Sequence, residues 1–484
     1  MDRPPGYWTA AFLLAAFYLA TSLYISAHRL LWYDELFTVL VCRLPSLGTM
    51  WSALSQGADQ TPLLYALVMR VSDTLFGHSD IGVRVPSAVA MAAGMLVVFD
   101  AARRIAGGAC GLAAMAVLST SFVMNYGFEG RPYALFFLFA SLALWQWVAT
   151  RDESWKAACV FGGIVLLGMS THIYFVFTLA PFGIFCIARR RWLHPKLIAG
   201  AVGVACGLAA AYPIIAGSMA AVKANAVSSW AHPTAKALQG VYGEFFPLSA
   251  VPLAATVILL ACFARRRSLA VPDMGDGERL AWLFLSIPLA CYIAAALVTD
   301  FFYNRYMIGT VPGVAVGVTC MLWRHCREAR FLVLAVVLLF AGFGAREQWL
   351  RARLVAQIQP ASALGDEGDY PYDDHQARVR TMLEMEPMLR SEGKTLVAYT
   401  GSLLYLETWF YSKNRSTHAL YWPWKPWIIS RYVPLRYLSL EDIVANARHI
   451  ALVSPDPELI KELEEAGLRA RTRVDSPLNV VYLE

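Results

Sequence analysis

Two adjacent carboxylates, Asp34 and Glu35, are the first residues in the chain whose type and position could support chemistry. They follow an apolar run of membrane length and stand beside Trp32 and Tyr33, aromatic residues that favour the membrane–water interface. Charged side chains at a membrane edge are costly unless they meet water or a binding partner. A carboxylate placed there can act as a general base. The pair is therefore the first candidate for a catalytic site.

Other polar groups stand at the ends of apolar runs that we expect to share one side of the membrane with the acid pair. Carboxylates can accept protons, and arginines bind phosphate oxygens through paired N–H donors. Folding the helices into a bundle would bring such groups around one cavity, which favours transfer chemistry on a charged, lipid-linked substrate. The residues are Asp59, Glu129, Arg131, Tyr133, His172, Arg305 and Tyr306.

Structural roles are the alternative for the acidic candidates. Asp34 could cap an interfacial helix, and on a helix the Glu35 side chain would point about 100° away from it. Glu129 and Arg131, two residues apart, could form a plain ion pair. Asp59 could bind substrate or cap the helix that opens near residue 61, and the pattern does not separate these roles.

The same holds for the candidate cations. We expect His172 to pack or hydrogen-bond within the bundle, with a contact to substrate as the alternative. Arg305 could extend from an apolar helix end to the interface, as long cationic side chains do. Each candidate site residue therefore has a structural alternative.

The composition is that of a membrane protein with many spans. The chain is 58% hydrophobic and 16% charged, with a mean hydropathy of +0.48. Its net charge of +6 would suit nucleic acid in a soluble chain, but Arg and Lys cluster in short loops and no nucleic-acid motif is present. We therefore expect membrane lipid around the chain and no nucleic-acid partner. The nine cysteines show no spacing typical of a disulfide framework or a zinc site.

The apolar runs are predicted to be transmembrane helices, because roughly 20 apolar residues cross about 30 Å of hydrocarbon. The first run reads as a retained helix and not as a signal peptide. A turn at Thr171 and His172 separates two short spans, with one long buried pair as the alternative. About eleven spans are predicted, at 7–27, 82–102, 109–127, 132–150, 157–171, 173–188, 197–219, 249–264, 280–298, 306–323 and 331–345.

Basic residues give the orientation. Every second loop is rich in Arg and Lys, from Arg103 and Arg104 to the loop 324–330, and such loops face the cytoplasm. The N-terminus is then cytoplasmic, whereas the acid pair and everything after residue 345 lie on the far side. In a bacterium this is a multi-pass protein of the inner membrane with a periplasmic C-terminal domain.

Two parts outside the spans complete the predicted architecture. The first external loop, residues 28–77, is predicted to hold short interfacial helices, with Ser46 capping one that runs through Gln56 and Thr61–Pro62 opening another that runs to Phe76. The tail, residues 346–484, has buried strands predicted at 395–399, 449–453 and 479–483 with helices between them. The fold class is an α-helical polytopic membrane protein with a small C-terminal α/β soluble domain.

An ordered set of motifs resembles the GT-C glycosyltransferases. The set includes W-Y-D-E at 32–35, D-Q-T-P-L-L-Y at 59–65, Y-G-F-E-G-R-P-Y-A-L at 126–135, T-H-I-Y at 171–174 and R-Y-M-I-G-T-V-P at 305–312. Within that superfamily the chain is most similar to the protein O-mannosyltransferase and lipid A aminoarabinose transferase group, glycosyltransferase families 39 and 83. The resemblance implies a GT-C transmembrane catalytic domain at 1–345 and an external domain at 346–484.

The resemblance also implies an activity and roles for residues. A sugar would move, with inversion, from an undecaprenyl- or decaprenyl-phosphate carrier to a lipid, glycan or protein acceptor on the periplasmic side. Asp34 lies where the family has its first-loop catalytic acid, with Glu35 beside it, and Glu129 matches the second-loop acid. Arg131 and the R-Y pair that begins at Arg305 would hold the carrier phosphate.

The resemblance leaves the acceptor, the cofactor and one alternative function open. The chain lacks an obvious inserted β-trefoil domain, which puts protein acceptors in doubt. No cofactor is certain, and a divalent cation, Mg²⁺ or Mn²⁺, is an option. The alternative function is a transporter or flippase of lipid-linked sugars, which would carry ionisable groups and broken helices near the membrane midplane.

Overall fold

The structure is a computed structural model that describes residues 6–150, 153–224, 231–246, 255–256, 259, 273–325, 330–357, 371–423, 426–473 and 478–484. The chain forms two compact units. The first contains the described residues within 1–27, 61–213 and 227–352, and the second those within 28–60, 214–226 and 353–484. The division at residue 345 stays a prediction.

The first unit is helical and contains the apolar runs. Gly6–His28 forms α1, and after the first loop the chain continues through α4 to α15, of which residues 214–224 of α10 and 353–357 of α15 belong to the second unit. Short 3-10 turns at Phe122–Phe128, Ile173–Leu179 and Asn304–Met307 and a π-turn at Ala295–Thr299 interrupt the series. The helices are α4 (Leu63–Leu75), α5 (Asp80–Ala106), α6 (Gly108–Ser119), α7 (Tyr133–Ala149), α8 (Trp155–Thr171), α9 (Ala180–Ala188), α10 (Pro195–Ala224), α11 (Ala235–Glu244), α12 (Asp276–Leu283), α13 (Ser286–Ala294), α14 (Thr310–His325) and α15 (Arg330–Gln357).

Several of these elements have the length and composition of membrane spans. Within the described ranges, four helices are long and apolar enough to cross a membrane: Gly6–His28, Asp80–Ala106, Pro195–Ala221 and Asp276–Thr299. The run from α6 into Phe122–Phe128 also passes when it is taken as one span bent by 78°. The predicted span 249–264 falls largely outside the described residues. The polytopic helical fold class is confirmed, and so is the turn at Thr171, where α8 ends; the number of eleven stays a prediction.

Small residues allow the helices of the first unit to approach closely. A Cβ added to Gly94 on α5 would lie 2.6 Å from Cε1 of Phe137 on α7, and one added to Gly111 on α6 would lie 2.7 Å from Cδ2 of Phe99 on α5. Only glycine fits at these positions. Because lipid tails are as apolar as the helices, close packing of this kind is a main source of helix association in a membrane.

The first loop forms three short helices, as expected. They are α2 (Tyr33–Cys42) and α3 (Leu47–Ser55) in the second unit, and α4 in the first. Ser46 caps α3 by accepting the Thr49 N–H at 3.1 Å, as predicted. The start of α4 differs from the prediction: Pro62 has an extended ψ of 157° and occupies the N-cap, so the helix begins at Leu63 and Thr61 lies one residue before the cap.

The C-terminal part of the second unit is an α/β domain. Its helices are α16 (Pro371–Ser391), α17 (Ser402–Tyr411), α18 (Leu440–Ala445) and α19 (Pro457–Glu465), and its strands are β1 (Leu396–Tyr399), β2 (His418–Tyr421), β3 (Tyr437–Leu438), β4 (Ile450–Val453), β5 (Ala470–Thr472) and β6 (Val480–Leu483). The sheet order is β3-β2-β1-β4-β6-β5, parallel from β3 to β4, with β6 antiparallel to both neighbours.

The three predicted strands correspond to β1, β4 and β6. β1 and β4 are buried along their whole length, and β6 is buried at three of its four residues. The sequence pattern missed β2, β3 and β5. β3 has only two residues, and β5 is largely exposed, so neither carries the apolar run that marks a buried strand. The small C-terminal α/β domain is confirmed.

Candidate functional site

The acid pair lies in the first turn of α2, in the second unit. Helix starts leave backbone N–H groups without intrahelical acceptors, and negative charge is favourable there. Trp32 donates its backbone N–H to Glu35 Oε2 at 3.0 Å, which is one half of a capping box. Glu35 is fully buried, whereas Asp34 is half-buried. The two acids therefore differ: Glu35 binds backbone inside the protein, and Asp34 keeps part of its surface accessible.

The backbone that leads into Asp34 donates four consecutive N–H groups to side chains. Three of the acceptors come from α16 and α17 of the C-terminal domain, and the fourth is the buried Glu35. We call residues 30–33 the donor segment. Its bonds are Leu30 N to Gln376 Oε1 (3.3 Å), Leu31 N to Tyr411 Oη (2.7 Å), Trp32 N to Glu35 Oε2 (3.0 Å) and Tyr33 N to Glu407 Oε1 (2.9 Å).

Glu407 is an ionisable group inside this contact. It lies on α17 with 3% of its surface exposed. Burial raises the pKa of Glu407 to about 8; the nearby Glu35 charge also raises it, whereas the Tyr33 N–H and Arg29 act in the opposite direction. Glu407 is thus mostly protonated at neutral pH, so the buried carboxyl group that faces the start of α2 carries less than a full negative charge.

Asp59 binds the acid-bearing helix. Thr38 donates its hydroxyl to Asp59 Oδ2 at 2.6 Å, and both residues are buried. Thr38 lies four residues after Asp34, which is the spacing of neighbours on one helix face. The structure therefore brings Asp59 to the Asp34 face of α2, in addition to any role near Thr61.

Aromatic rings border Asp34 along α2. Tyr33 and Phe37 have ring centroids 5.1 Å apart, and Trp427 lies 6.0 Å and 5.3 Å from them. All three are half-buried. Trp427 and Glu407 were not among the residues predicted from the sequence. The cluster of Trp and Pro at residues 422–427 could have indicated Trp427. Glu407 is a single acidic residue in an apolar helix, and no sequence pattern marks it.

The remaining candidates belong to the first unit, where an aromatic group forms around His172. Its ring centroid lies 5.7 Å from Tyr133, 5.0 Å from Tyr306 and 5.4 Å from Phe136, on which it stacks. His172 is 8% exposed and ends α8 with extended backbone, so the break between two apolar runs aims an imidazole inward. The T-H-I-Y and R-Y motifs therefore meet in the first unit.

Two arginines approach the same group. The Arg305 guanidinium carbon lies 5.5 Å from the centroid of the Tyr133 ring and 4.7 Å from that of Tyr303, both at cation–π distance. Arg131 and Arg305 both act electrostatically on His172. Two cations beside one buried aromatic cluster are able to bind an anionic group such as a phosphate through several N–H donors.

The loop that carries Glu129 and Arg131 is fixed by its neighbours. Glu129 ends the Phe122–Phe128 turn with extended backbone and is 5% exposed. The backbone carbonyl of Arg131 accepts the hydroxyl of Ser87 on α5 at 3.2 Å. Glu129 and Arg305 both act electrostatically on Tyr126, so the second-loop acid and the late arginine lie in one region.

The candidate residues thus form two groups, each within its own unit. Asp34, Glu35 and Asp59 belong to the second unit, and the others, from Glu129 to Tyr306, belong to the first. In the part of the chain that the structure describes, no three His, Cys, Asp or Glu side chains lie close enough together to hold a metal ion.

Comparison with known proteins supports the resemblance noted from the motifs. The family model described as dolichyl-phosphate-mannose-protein mannosyltransferase matches residues 60–216. No match was found among curated proteins by sequence. ArnT from Cupriavidus metallidurans bound to undecaprenyl phosphate superposes with a TM-score of 0.61 at 12% identity, covering 99% of this chain and 98% of that one.

Two further solved structures were compared. The apo state of the same ArnT gives a TM-score of 0.61 at 11% identity, with coverage of 99% and 98%. An Archaeoglobus fulgidus oligosaccharyltransferase in complex with Zn and sulfate gives a TM-score of only 0.41 at 11% identity, over 82% of this chain and 61% of that one. The chain therefore has the GT-C membrane fold of ArnT, and its resemblance to the GT-C glycosyltransferase superfamily is confirmed.

Proposed function

We propose that the protein is an integral-membrane, inverting glycosyltransferase that moves a sugar from a polyprenyl-phosphate carrier to a lipid, glycan or protein acceptor. The observation that carries the proposal is the half-buried carboxylate of Asp34 in the first turn of α2. The fold around it is shared, along 99% of the chain, with a protein that was solved with undecaprenyl phosphate. The small C-terminal α/β domain favours a lipid or glycan acceptor over a protein.

Asp34 is the proposed general base. Its carboxylate takes the proton of the acceptor hydroxyl as that oxygen attacks the anomeric carbon of the sugar. A new carbon–oxygen bond forms on one face while the bond from the anomeric carbon to the carrier phosphate breaks on the other, so the configuration inverts. The carrier phosphate leaves as an anion with the bonding electron pair, and no general acid is needed. Glu35 supports this role by holding the N–H of Trp32.

Arg131 and Arg305 are proposed to bind the carrier phosphate. Their closeness to one aromatic cluster supports a shared anionic ligand, because two like charges near each other gain most from a bound anion. Tyr133, His172 and Tyr306 then line the sugar or the phosphate, while Glu129 and Asp59 orient substrate hydroxyls. A charge that develops on the leaving phosphate is stabilised by these fixed donors.

The location proposed for this reaction is the periplasmic face of a bacterial inner membrane. The support is the alternation of Arg- and Lys-rich loops, which puts the N-terminus in the cytoplasm and residues 346–484 outside it. Reporter fusions at the C-terminus test this orientation. A fused reporter enzyme that works only in the periplasm should be active. Activity of a fused reporter that works only in the cytoplasm would contradict the orientation.

Transfer from a radiolabelled polyprenyl-phosphate sugar to membrane acceptors tests the function. Asp34→Asn should abolish labelled product, whereas the exposed control Glu465→Gln should match wild type. The protein is a flippase if wild type moves the lipid-linked sugar across the bilayer without forming a transfer product. In that case the Asn variant should behave identically. Full transfer by the Asn variant would refute the base assignment.

A further inference from the structure

The C-terminal domain contributes side chains to the backbone that bears the acid pair. Of the four bonds made by the donor segment, three end on α16 and α17. The bond from Tyr33 matters most, because Tyr33 is the first residue of α2 and Asp34 is the second. The first N–H groups of a helix have no intrahelical acceptor, so an external acceptor at this point fixes how the helix begins.

We propose that Glu407 is a positioning residue for sugar transfer, because its carboxyl oxygen holds the first turn of α2 and so fixes the direction of the Asp34 side chain. This inference rests on the proposed function of Asp34 as the base. The Tyr33 N–H lies one peptide unit before Asp34 and is bonded to Glu407 Oε1 at 2.9 Å. A displacement of about 1 Å at a reacting group can lower the rate by roughly 100-fold.

Burial makes Glu407 an unusual choice for this contact. A carboxyl group that is 3% exposed pays a desolvation penalty that an amide or a hydroxyl acceptor would largely avoid. Tyr411, one turn further along α17, makes the comparable bond to Leu31 with a neutral hydroxyl. An ionisable acceptor next to α2 therefore adds a dependence on pH that a neutral acceptor would not bring.

Burial sets the direction of that dependence, and nearby charges modify it. Among charged groups, Glu35 of α2 raises the pKa of Glu407 and Arg29 of the stretch before α2 lowers it. Because burial raises the pKa of Glu407 to about 8, the group is mainly neutral at pH 7. At higher pH it ionises, and the cost of a buried charge, to which repulsion by Glu35 adds, loosens the contact between α17 and the first turn of α2.

The test compares Glu407→Gln and Glu407→Leu in the full-length protein, using transfer from a radiolabelled polyprenyl-phosphate sugar between pH 6 and pH 9.5. Leu removes the acceptor and should lower kcat at pH 7 by at least about tenfold, with KM for the donor changed by less than about twofold. Gln retains an acceptor oxygen and cannot ionise. It should therefore restore most of the activity lost in Leu and shift the alkaline fall of kcat to higher pH.

Two controls separate positioning from a general loss of packing. Tyr411→Phe removes the acceptor for Leu31, outside α2, and should lower kcat by less than Glu407→Leu without moving the pH profile. Glu465→Gln, on the exposed end of α19, should behave as wild type. If the Leu variant is not recovered as folded protein, the Gln variant decides. A fall of kcat at high pH that is the same in Glu407→Gln as in wild type would overturn the inference.

The outcomes also distinguish this inference from the proposed function. Asp34→Asn is measured in parallel. If Asp34→Asn is inactive while Glu407→Leu keeps the kcat and pH profile of wild type, the positioning role is wrong and the base assignment stands. If Asp34→Asn keeps full transfer, the proposed function fails first, whatever Glu407 does.

Discussion

The hydroxyl oxygen of Thr38 lies 2.6 Å from Asp59 Oδ2, which joins the acid-bearing helix α2 to the far end of the first loop. Both side chains are buried, so the hydrogen bond is made away from water. Hydrogen bonds to charged acceptors of this kind are short and stronger than those between neutral groups. The Asp34 face of α2 is therefore fixed from the loop side by Asp59, as its first turn is fixed by Glu407.

Thr38→Val should lower the thermal stability of the protein and its transfer activity together. The substitution keeps the shape of the side chain and removes a donor from a buried carboxylate, a change that costs about 1–3 kcal/mol. Thr38→Ser keeps the hydroxyl and should remain close to wild type in both measurements. Equal melting temperatures for the Val and Ser variants would show that the bond contributes nothing.

Arg305→Lys should weaken use of the lipid-linked donor even though the charge is kept. Lysine cannot present paired N–H donors to a phosphate or stack on the Tyr133 and Tyr303 rings as a guanidinium does. We expect kcat/KM for the donor to fall by about 10- to 100-fold. This range corresponds to a loss of roughly 1.4–2.8 kcal/mol in the binding of the phosphate by paired N–H donors. An exposed cation of the same type, Arg279, gives the matched control as Arg279→Lys.

Gly94→Ala should destabilise the helix bundle, whereas Gly163→Ala should not. The new methyl at Gly94 would lie 2.6 Å from Phe137 Cε1, too close for α5 and α7 to keep their packing, while the methyl at Gly163 meets nothing within 4 Å. Overpacking costs about 1–3 kcal/mol, and Gly to Ala in an open helix interior gains up to about 1 kcal/mol. Melting temperatures in detergent should move in opposite directions. A similar melting temperature for both variants would contradict the packing described for α5 and α7.

The sequence predicted the elements better than it predicted the contacts between them. Spans such as 7–27 and 82–102 were found because a membrane demands long apolar runs, and Ser46 because a helix start demands a capping acceptor. His172 and Tyr306 were expected on one side of the membrane, because both stand at the outer ends of apolar runs. Their ring centroids lie 5.0 Å apart in the first unit, and their roles in binding substrate stay predictions.

Contacts between residues that are far apart in the chain could not be predicted from the sequence. Tyr33 and Glu407 are 374 residues apart, and neither carries a local pattern that points to the other. β2 was missed because its first residue is the polar His418 and only three less polar residues follow, although in the structure His418 is fully buried and bonded to Tyr399 Oη at 2.8 Å. Long-range packing overrides the local signal in both cases.

His418 predicts how the stability of the protein depends on pH. Burial lowers the pKa of His418, with Arg390 acting in the same direction and Glu386 opposing it. Because the unfolded chain takes up a proton near pH 6.5 and the folded protein resists it, this stability is present above that pH and is lost as the pH falls. The melting temperature should drop between pH 7 and pH 5.

His418→Asn supplies the comparison for this pH dependence. Asparagine keeps a polar atom near the Tyr399 hydroxyl and does not titrate in this range. Its melting temperature should therefore change less between pH 7 and pH 5 than that of wild type. An identical pH dependence in the two proteins would assign the acid sensitivity to other groups.

The central claim is that Asp34 removes the acceptor proton during sugar transfer, and its most direct measurement is single-turnover transfer by Asp34→Asn. Asparagine has the same shape and cannot accept the proton, so the rate should fall by at least about 100-fold, the usual contribution of a general base, with donor binding retained. Donor binding is followed by retention of the radiolabelled lipid on the purified protein. A rate within twofold of wild type in a variant that still binds donor would contradict the account.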